Sequence, residues 1–81
     1  MEHAQARGLA RLMLRWPERR AELRRKAAHD AHLLALCEAY EAACGAAEYW
    51  AKERPPLGPD RAAEYRDLAS DTEEDILNRI S

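Results

Sequence analysis

The sequence predicts an all-α fold in which a long helix pairs antiparallel with a C-terminal helix, after a short N-terminal helix. Alanine and leucine supply 17 and 10 of the 81 residues, and both favour helices. Valine and phenylalanine are absent, and isoleucine and threonine together supply three residues. Because sheets are built largely from β-branched and aromatic side chains, this composition excludes an all-β or α/β domain.

Prolines mark where the predicted helices begin and end. Pro17 disfavours a helical conformation at Trp16, and proline itself is tolerated in a first helical turn. The sequence therefore predicts one helix over residues 3–15, a break at Trp16, and a second helix over residues 18–53.

A proline-rich segment, residues 54–59, separates the second helix from the third. It contains three prolines and a glycine in six residues and cannot continue a helix. Asp60 follows as a suitable N-cap, so we expect a loop at 54–59 and a third helix over residues 61–80. The chain then consists of an N-terminal amphipathic basic helix, residues 1–16, and a helical hairpin, residues 17–81.

Apolar residues recur at steps of three and four in both long helices, which is the spacing of a helix–helix seam. Helix two contributes Leu33, Leu36, Tyr40, Ala43, Ala47 and Trp50, and helix three contributes Ala62, Tyr65, Leu68, Ala69, Thr72, Ile76 and Ile80. A short loop makes antiparallel neighbours. The predicted register places Tyr40 near Thr72 and Leu33 near Ile80.

The first half of helix two presents a different apolar face. Leu23, Ala27, Ala31 and Leu34 lie about a third of a turn away from the seam. This face could receive the N-terminal helix, or it could meet a second subunit.

Size and charge favour self-association. A chain of 81 residues with so much alanine buries only a thin core. Four leucines fall outside the seam: Leu14, Leu23, Leu34 and Leu77. Residues 1–36 carry a net charge of +4 and residues 37–81 a net charge of −6, and opposite charges attract within a chain or between chains. We therefore expect an antiparallel homodimer, or else a different protein partner.

Apolar runs and cysteines indicate the cellular compartment. No apolar run approaches the length of about 20 residues that spans a bilayer, and the N-terminus lacks the apolar block of a secretory signal. Two cysteines without such a signal are typical of a reducing compartment. We therefore expect a cytoplasmic protein with free thiols and no transmembrane segment.

Basic residues cluster in the first third of the chain. Arg7, Arg11 and Arg15 are spaced by four and form a ridge opposite an apolar face. The candidate contacts for an anionic partner are Arg7, Arg11, Arg15, Arg19, Arg20, Arg24, Arg25 and Lys26. These could bind nucleic acid or an anionic surface. The competing interpretation is a solvated ridge whose apolar back packs on helix two. An isoelectric point of about 5.9 is below the range typical of nucleic-acid-binding domains.

Residues that carry chemistry are few. His29 and His32 share one side of helix two, but a zinc site needs three or four converging ligands. Cys37 and Cys44 lie one heptad apart on the apolar stripe, where they are typical small core residues. We therefore expect no catalytic, cofactor-binding or metal-binding residues, and a structural or protein–protein interaction module rather than an enzyme.

The order of these features resembles a known family. The matching residues are Trp16-Pro17-Glu18, Asp30-Ala31-His32-Leu33, Leu36, Tyr40, Lys52-Glu53, Asp60, Arg66-Asp67-Leu68 and Asp75-Ile76-Leu77. They resemble the YdcH-like family of small bacterial helical-hairpin proteins, a domain of unknown function. The chain departs from the family pattern at Trp16 and Leu33, where members carry phenylalanine. The resemblance implies a helical hairpin and no particular activity.

Overall fold

The structure is a computed structural model that describes residues 1–81. It is all-helical, with no strand, as the composition predicts. The helices are α1 (His3–Arg15), α2 (Arg20–Ala27), α3 (Ala31–Ala51) and α4 (Leu57–Ile80), with one 3-10 turn at Pro17–Arg19.

The first helix ends where the sequence predicts. α1 covers the predicted residues 3–15, and the Trp16 N–H donates to the Leu12 carbonyl at 2.8 Å as its last helical hydrogen bond. Pro17 then opens the 3-10 turn that leads directly into α2. The proline and its effect on the preceding residue therefore explain this boundary.

The prediction of one continuous helix over 18–53 is wrong, because the chain breaks between α2 and α3. Asp30 adopts an extended conformation there, with φ −132° and ψ 96°, and its carboxylate accepts a hydrogen bond from the Leu33 N–H at 3.1 Å. This is an N-cap, which satisfies one of the free amides that begin a helix. Asp30 also binds the Arg79 guanidinium through two hydrogen bonds of 2.9 and 3.0 Å.

The third helix begins earlier than predicted, at Leu57 rather than residue 61. Pro59 lies in the first turn of α4, where a backbone N–H would have no helical partner, so its ring costs no hydrogen bond. Asp60 is also in that first turn, where a carboxylate is favoured by the helix dipole. The loop before α4 is therefore shorter than the predicted 54–59, and it contains a cis Pro55–Pro56 bond.

α3 and α4 pack against each other along their lengths. The Tyr40 hydroxyl, in the middle of α3, donates to the Glu73 carboxylate at 2.6 Å, one residue from its predicted neighbour Thr72. At the end of the pair, Asp30 binds Arg79.

The core lies between α1 and the pair formed by α3 and α4. α2 covers one end of that pair. Six of the buried side chains are completely enclosed: Leu12, Leu23, Leu33, Cys37, Ile76 and Ile80. α2 is fixed over the end of α4 by Lys26, whose Nζ donates to the Ile80 carbonyl at 2.6 Å. A lysine in this position satisfies a terminal carbonyl that the helix leaves free.

The four leucines outside the predicted seam have different environments. Leu23 is fully buried, and Leu34 and Leu77 are partly buried against the core of the same chain. Leu14 remains 76% exposed, and Leu68, which was predicted to lie in the seam, is 51% exposed. A single copy of the chain thus covers three of the four leucines, at least in part.

One further feature concerns membranes. None of the helices is both long enough and apolar enough to cross a bilayer.

Candidate functional site

The basic ridge of α1 contacts three glutamates of α3 and α4. Arg7 binds Glu41 at 3.0 Å, and Arg11 binds Glu41 as well. Arg11 also forms a two-pronged pair with Glu48, with distances of 3.0 and 3.1 Å. The Arg11 hydrogen bonds hold the pKa of Glu48 below its ordinary value.

The last arginine of the ridge binds α4 instead of α3. The Arg15 Nε donates to the Glu73 carboxylate at 3.0 Å, on the same oxygen that accepts the Tyr40 hydroxyl. α1 is therefore tied to both long helices by charge. The three arginines pair within the chain, while Arg7 and Arg15 stay largely exposed, and the apolar back of α1 packs into the core.

The other candidate basic residues lie on or beside α2, and they fall into two groups. Arg19 pairs with Glu22 at 3.1 Å, and Lys26 caps α4. Arg24 contacts the Met13 sulfur at 3.9 Å. Arg20 and Arg25 are exposed and form no ion pair within the chain. The structure thus separates the α1 arginines, which are occupied, from a smaller free basic surface on α2.

A row of small, uncharged side chains lines the outer face of α3, and the exposed Glu38 borders it. The row consists of Ala31, Ala35, Ala39, Ala42, Ala46 and Tyr49. Steps of three and four residues place them on one side of the helix. All are exposed except Ala46, which is half-buried, and no other helix covers them. In a chain with 35% charged residues, such a face stands out. We call it the α3 outer face.

The outer face of α4 is, in contrast, acidic. Five exposed carboxylates follow each other at steps of three and four: Asp60, Glu64, Asp67, Asp71 and Glu74. Of these, only Glu64 has an ion-pair partner, Arg61, at 3.3 Å. The uncharged α3 outer face therefore adjoins a strongly charged neighbouring helix, and the two present different surfaces to a partner.

No protein-family model, curated protein or solved structure matches this chain.

The cysteines are poor nucleophiles in this structure. Both thiols are free. Burial raises the pKa of Cys37 to about 11, and burial also raises the pKa of Cys44. Because the thiolate is the reactive form, a raised pKa suppresses nucleophilic attack at neutral pH. Cys37 is a core residue, as predicted, whereas Cys44 is only partly buried against the core.

The two histidines do not come together with other ligands. His29 lies in the turn between α2 and α3, while His32 lies in the first turn of α3. His32 borders an open cleft of about 420 Å³ that also contains Asp75 and Arg79. No group of three or more histidine, cysteine or carboxylate ligands converges anywhere in the structure.

The two thiols should label at different rates. Cys37 is completely buried, whereas Cys44 is partly exposed beside Tyr40. We expect the Cys37→Ala variant, which keeps Cys44, to react with an aromatic disulfide reagent at least about tenfold faster than the Cys44→Ala variant. The remaining Cys37 thiol should react only when the chain opens, so its rate should rise with urea. Equal rates in the two variants would contradict the burial of Cys37 beneath α1.

Proposed function

We propose that this chain is a non-catalytic structural and protein–protein interaction module that self-associates as a homodimer. Its scaffold is the helical hairpin of α3 and α4, the fold that the YdcH-like resemblance implies, and its interface is the α3 outer face. The row of small, uncharged side chains from Ala31 to Tyr49, with Glu38 at its border, carries the proposal. The raised pKa values of both thiols support a role other than nucleophilic catalysis.

A second copy is the partner that suits an uncharged helix face. Contact with a charged surface would remove charges from water without pairing them, which is unfavourable. Another copy offers the same neutral face, and a two-fold axis makes the interface self-complementary. Small side chains also let two helices approach closely, because the distance between helix axes depends on the side chains at the contact.

The two-fold axis is best placed at Ala42. Antiparallel pairing about this residue brings Ala35 of one copy opposite Tyr49 of the other. Tyr49 is 58% exposed within the single chain and would cover the small alanine across the interface. Burial of an aromatic ring is among the larger single gains available to an interface.

The size of the face sets the expected affinity. From Ala31 to Tyr49 it is about 27 Å long at 1.5 Å per residue, and a helix is about 10 Å wide. The area given by this length and width is smaller than the area that standard stable interfaces bury. We therefore expect a dissociation constant for the dimer in the range of about 1–100 μM.

Replacing Ala42 with glutamate tests the proposed interface. Ala42→Glu places two like charges next to each other at the two-fold axis. Glutamate is a good helix former, and its repulsion from Glu38 four residues away costs only about 0.5 kcal/mol or less. We expect sedimentation equilibrium to give a dimer of twice 9.2 kDa for the wild type. The variant should be a 9.2 kDa monomer with an unchanged helical circular dichroism spectrum.

The matched control is Ala63→Glu, which makes the same change at an exposed alanine of α4. It should leave the dimer intact. A wild-type chain that stays at 9.2 kDa up to the highest soluble concentration would contradict the proposal. So would an Ala42→Glu variant that dimerises as tightly as Ala63→Glu.

A second candidate function is binding to nucleic acid or an anionic surface through α2. The free guanidinium groups of Arg20 and Arg25 favour it, although the α1 arginines are already paired. The two functions differ in their response to salt. Binding to phosphates weakens steeply as the salt concentration rises, whereas association through the uncharged α3 outer face should change little.

We further propose that the protein works in the bacterial cytoplasm, a reducing compartment, on the strength of its two free cysteines.

A further inference from the structure

An open cleft of about 380 Å³ lies where α1, α3 and α4 meet. α1 contributes Arg11 and Arg15, and α4 contributes Arg66 and Ser70. Small side chains, including Ala47 and Ala69, line its apolar part. The cleft is on a different side of α3 from its outer face, and its volume is in the range of pockets that bind small molecules.

Three of the four carboxylate oxygens of this cleft already accept hydrogen bonds. Both oxygens of Glu48 accept from Arg11, at 3.0 and 3.1 Å. Glu73 accepts from Arg15 and from the Tyr40 hydroxyl at one oxygen, at 3.0 and 2.6 Å. A cationic ligand at Glu48, or at the shared oxygen of Glu73, would therefore have to displace hydrogen bonds that hold α1 in place.

Apart from the second oxygen of Glu73, the free charged and hydroxyl groups of the cleft are hydrogen-bond donors. Arg66 forms no ion pair or hydrogen bond within the chain, and the Ser70 hydroxyl is also unengaged. Arg15 uses only its Nε, so its two terminal nitrogens remain available. Arg66 and Ser70 are four residues apart, which places them on adjacent turns of one face of α4.

We propose that this cleft binds a small phosphate monoester. Arg66 and the terminal nitrogens of Arg15 hold the phosphoryl oxygens, and the Ser70 hydroxyl donates a further hydrogen bond. A guanidinium presents a planar fork of donors that matches phosphate geometry, and such charged hydrogen bonds are the strong ones. The organic group of the ester lies on the apolar floor formed by Ala47 and Ala69.

The test is a nuclear magnetic resonance titration of the full chain with phenyl phosphate, followed through backbone amides. Two further titrations use inorganic phosphate and sodium chloride at matched ionic strength. We expect saturable shifts confined to the amides near Arg15 and between Arg66 and Ser70, with a dissociation constant of about 1 mM. Phenyl phosphate should bind more tightly than inorganic phosphate because only the ester reaches the alanine floor.

Substitutions of two exposed arginines distinguish phosphate binding in the cleft from nonspecific attraction of phosphate to exposed arginines. Arg66→Gln should weaken binding about tenfold or more. Arg20→Gln, which removes an exposed arginine of α2 outside the cleft, should leave the affinity for phenyl phosphate unchanged. The proposal is overturned by shifts that never saturate, by equal shifts with chloride, or by equal losses in the two variants. Inorganic phosphate binding as tightly as the ester would overturn the assignment to a monoester.

Discussion

Replacing Ile76 with aspartate should remove most of the helical structure of the protein. Ile76 is completely enclosed in the core that α3 and α4 share with α1. A carboxylate enclosed among these apolar side chains loses its hydration, and a buried unpaired charge of this kind costs about 3–5 kcal/mol. A domain this small has a stability of about 5 kcal/mol, at the low end for folded proteins. Circular dichroism at 222 nm and a urea titration measure the loss.

The control for this experiment is Leu68→Asp on the same helix. Leu68 is 51% exposed, so its carboxylate stays hydrated and costs much less. We expect Leu68→Asp to unfold within about 1 kcal/mol of the wild type, as is usual for surface substitutions. If Ile76→Asp melts as the control does, α4 does not turn this face toward α3.

The face of α4 that contains Ile76 could be predicted because its apolar residues repeat with the helical period. The helical repeat of apolar residues and the short loop before α4 also predict which helix α4 packs against. The Trp16-Pro17 pair predicts where α1 ends. These features are local or periodic, so composition and spacing are enough to find them. Leu68 is the exception within the stripe, since it lies at the edge of the buried arc and faces solvent.

The break before α3 was harder to predict, because the side chain of Asp30 decides it. An aspartate inside a helix-forming run is compatible either with continuation or with a new N-cap. Here the carboxylate satisfies both the Leu33 N–H and the Arg79 side chain. The hydrogen bond from Arg79 holds the pKa of Asp30 at about 2. That second partner is 49 residues away in the sequence, so no local pattern reveals it.

The position of α1 depends on another long-range pairing. Glu41 and Glu48 are one heptad apart on α3, and the α1 arginines repeat every four residues. The complementary spacing was present in the sequence, but it does not indicate whether the pairs form within one chain or between two. The structure forms them within the chain, which leaves α2 as the freer basic surface.

Close contact between the backbones of α1 and α3 depends on Gly8. A Cβ atom added to Gly8 would lie 1.8 Å from the Cys37 carbonyl oxygen and 2.6 Å from its carbon. Both atoms belong to the backbone of α3, so no side chain can rotate away to make room. A glycine within a helix costs about 1 kcal/mol relative to alanine. At this position the cost is offset by contacts that only glycine permits.

Gly45 in α3 provides a matched control, because a Cβ atom added there meets nothing within 4 Å. Gly45→Ala should therefore raise the free energy of unfolding by about 1 kcal/mol through helix propensity alone. Gly8→Ala gains the same propensity but must push α1 away from α3. Overpacking of this kind costs about 1–3 kcal/mol, and more where the obstacle is backbone.

Gly8→Ala should therefore be less stable than the wild type, while Gly45→Ala is more stable, although the chemical change is the same. The displaced helix would also lengthen the Arg7–Glu41 and Arg11–Glu48 contacts and uncover Cys37. We expect faster labelling of Cys37 in a Cys44→Ala background for Gly8→Ala and slower labelling for Gly45→Ala. Urea denaturation gives the stabilities, and the labelling rate reports the position of α1 separately. If the two glycine variants are equally stable and label equally slowly, then α1 does not cross α3 at Cys37.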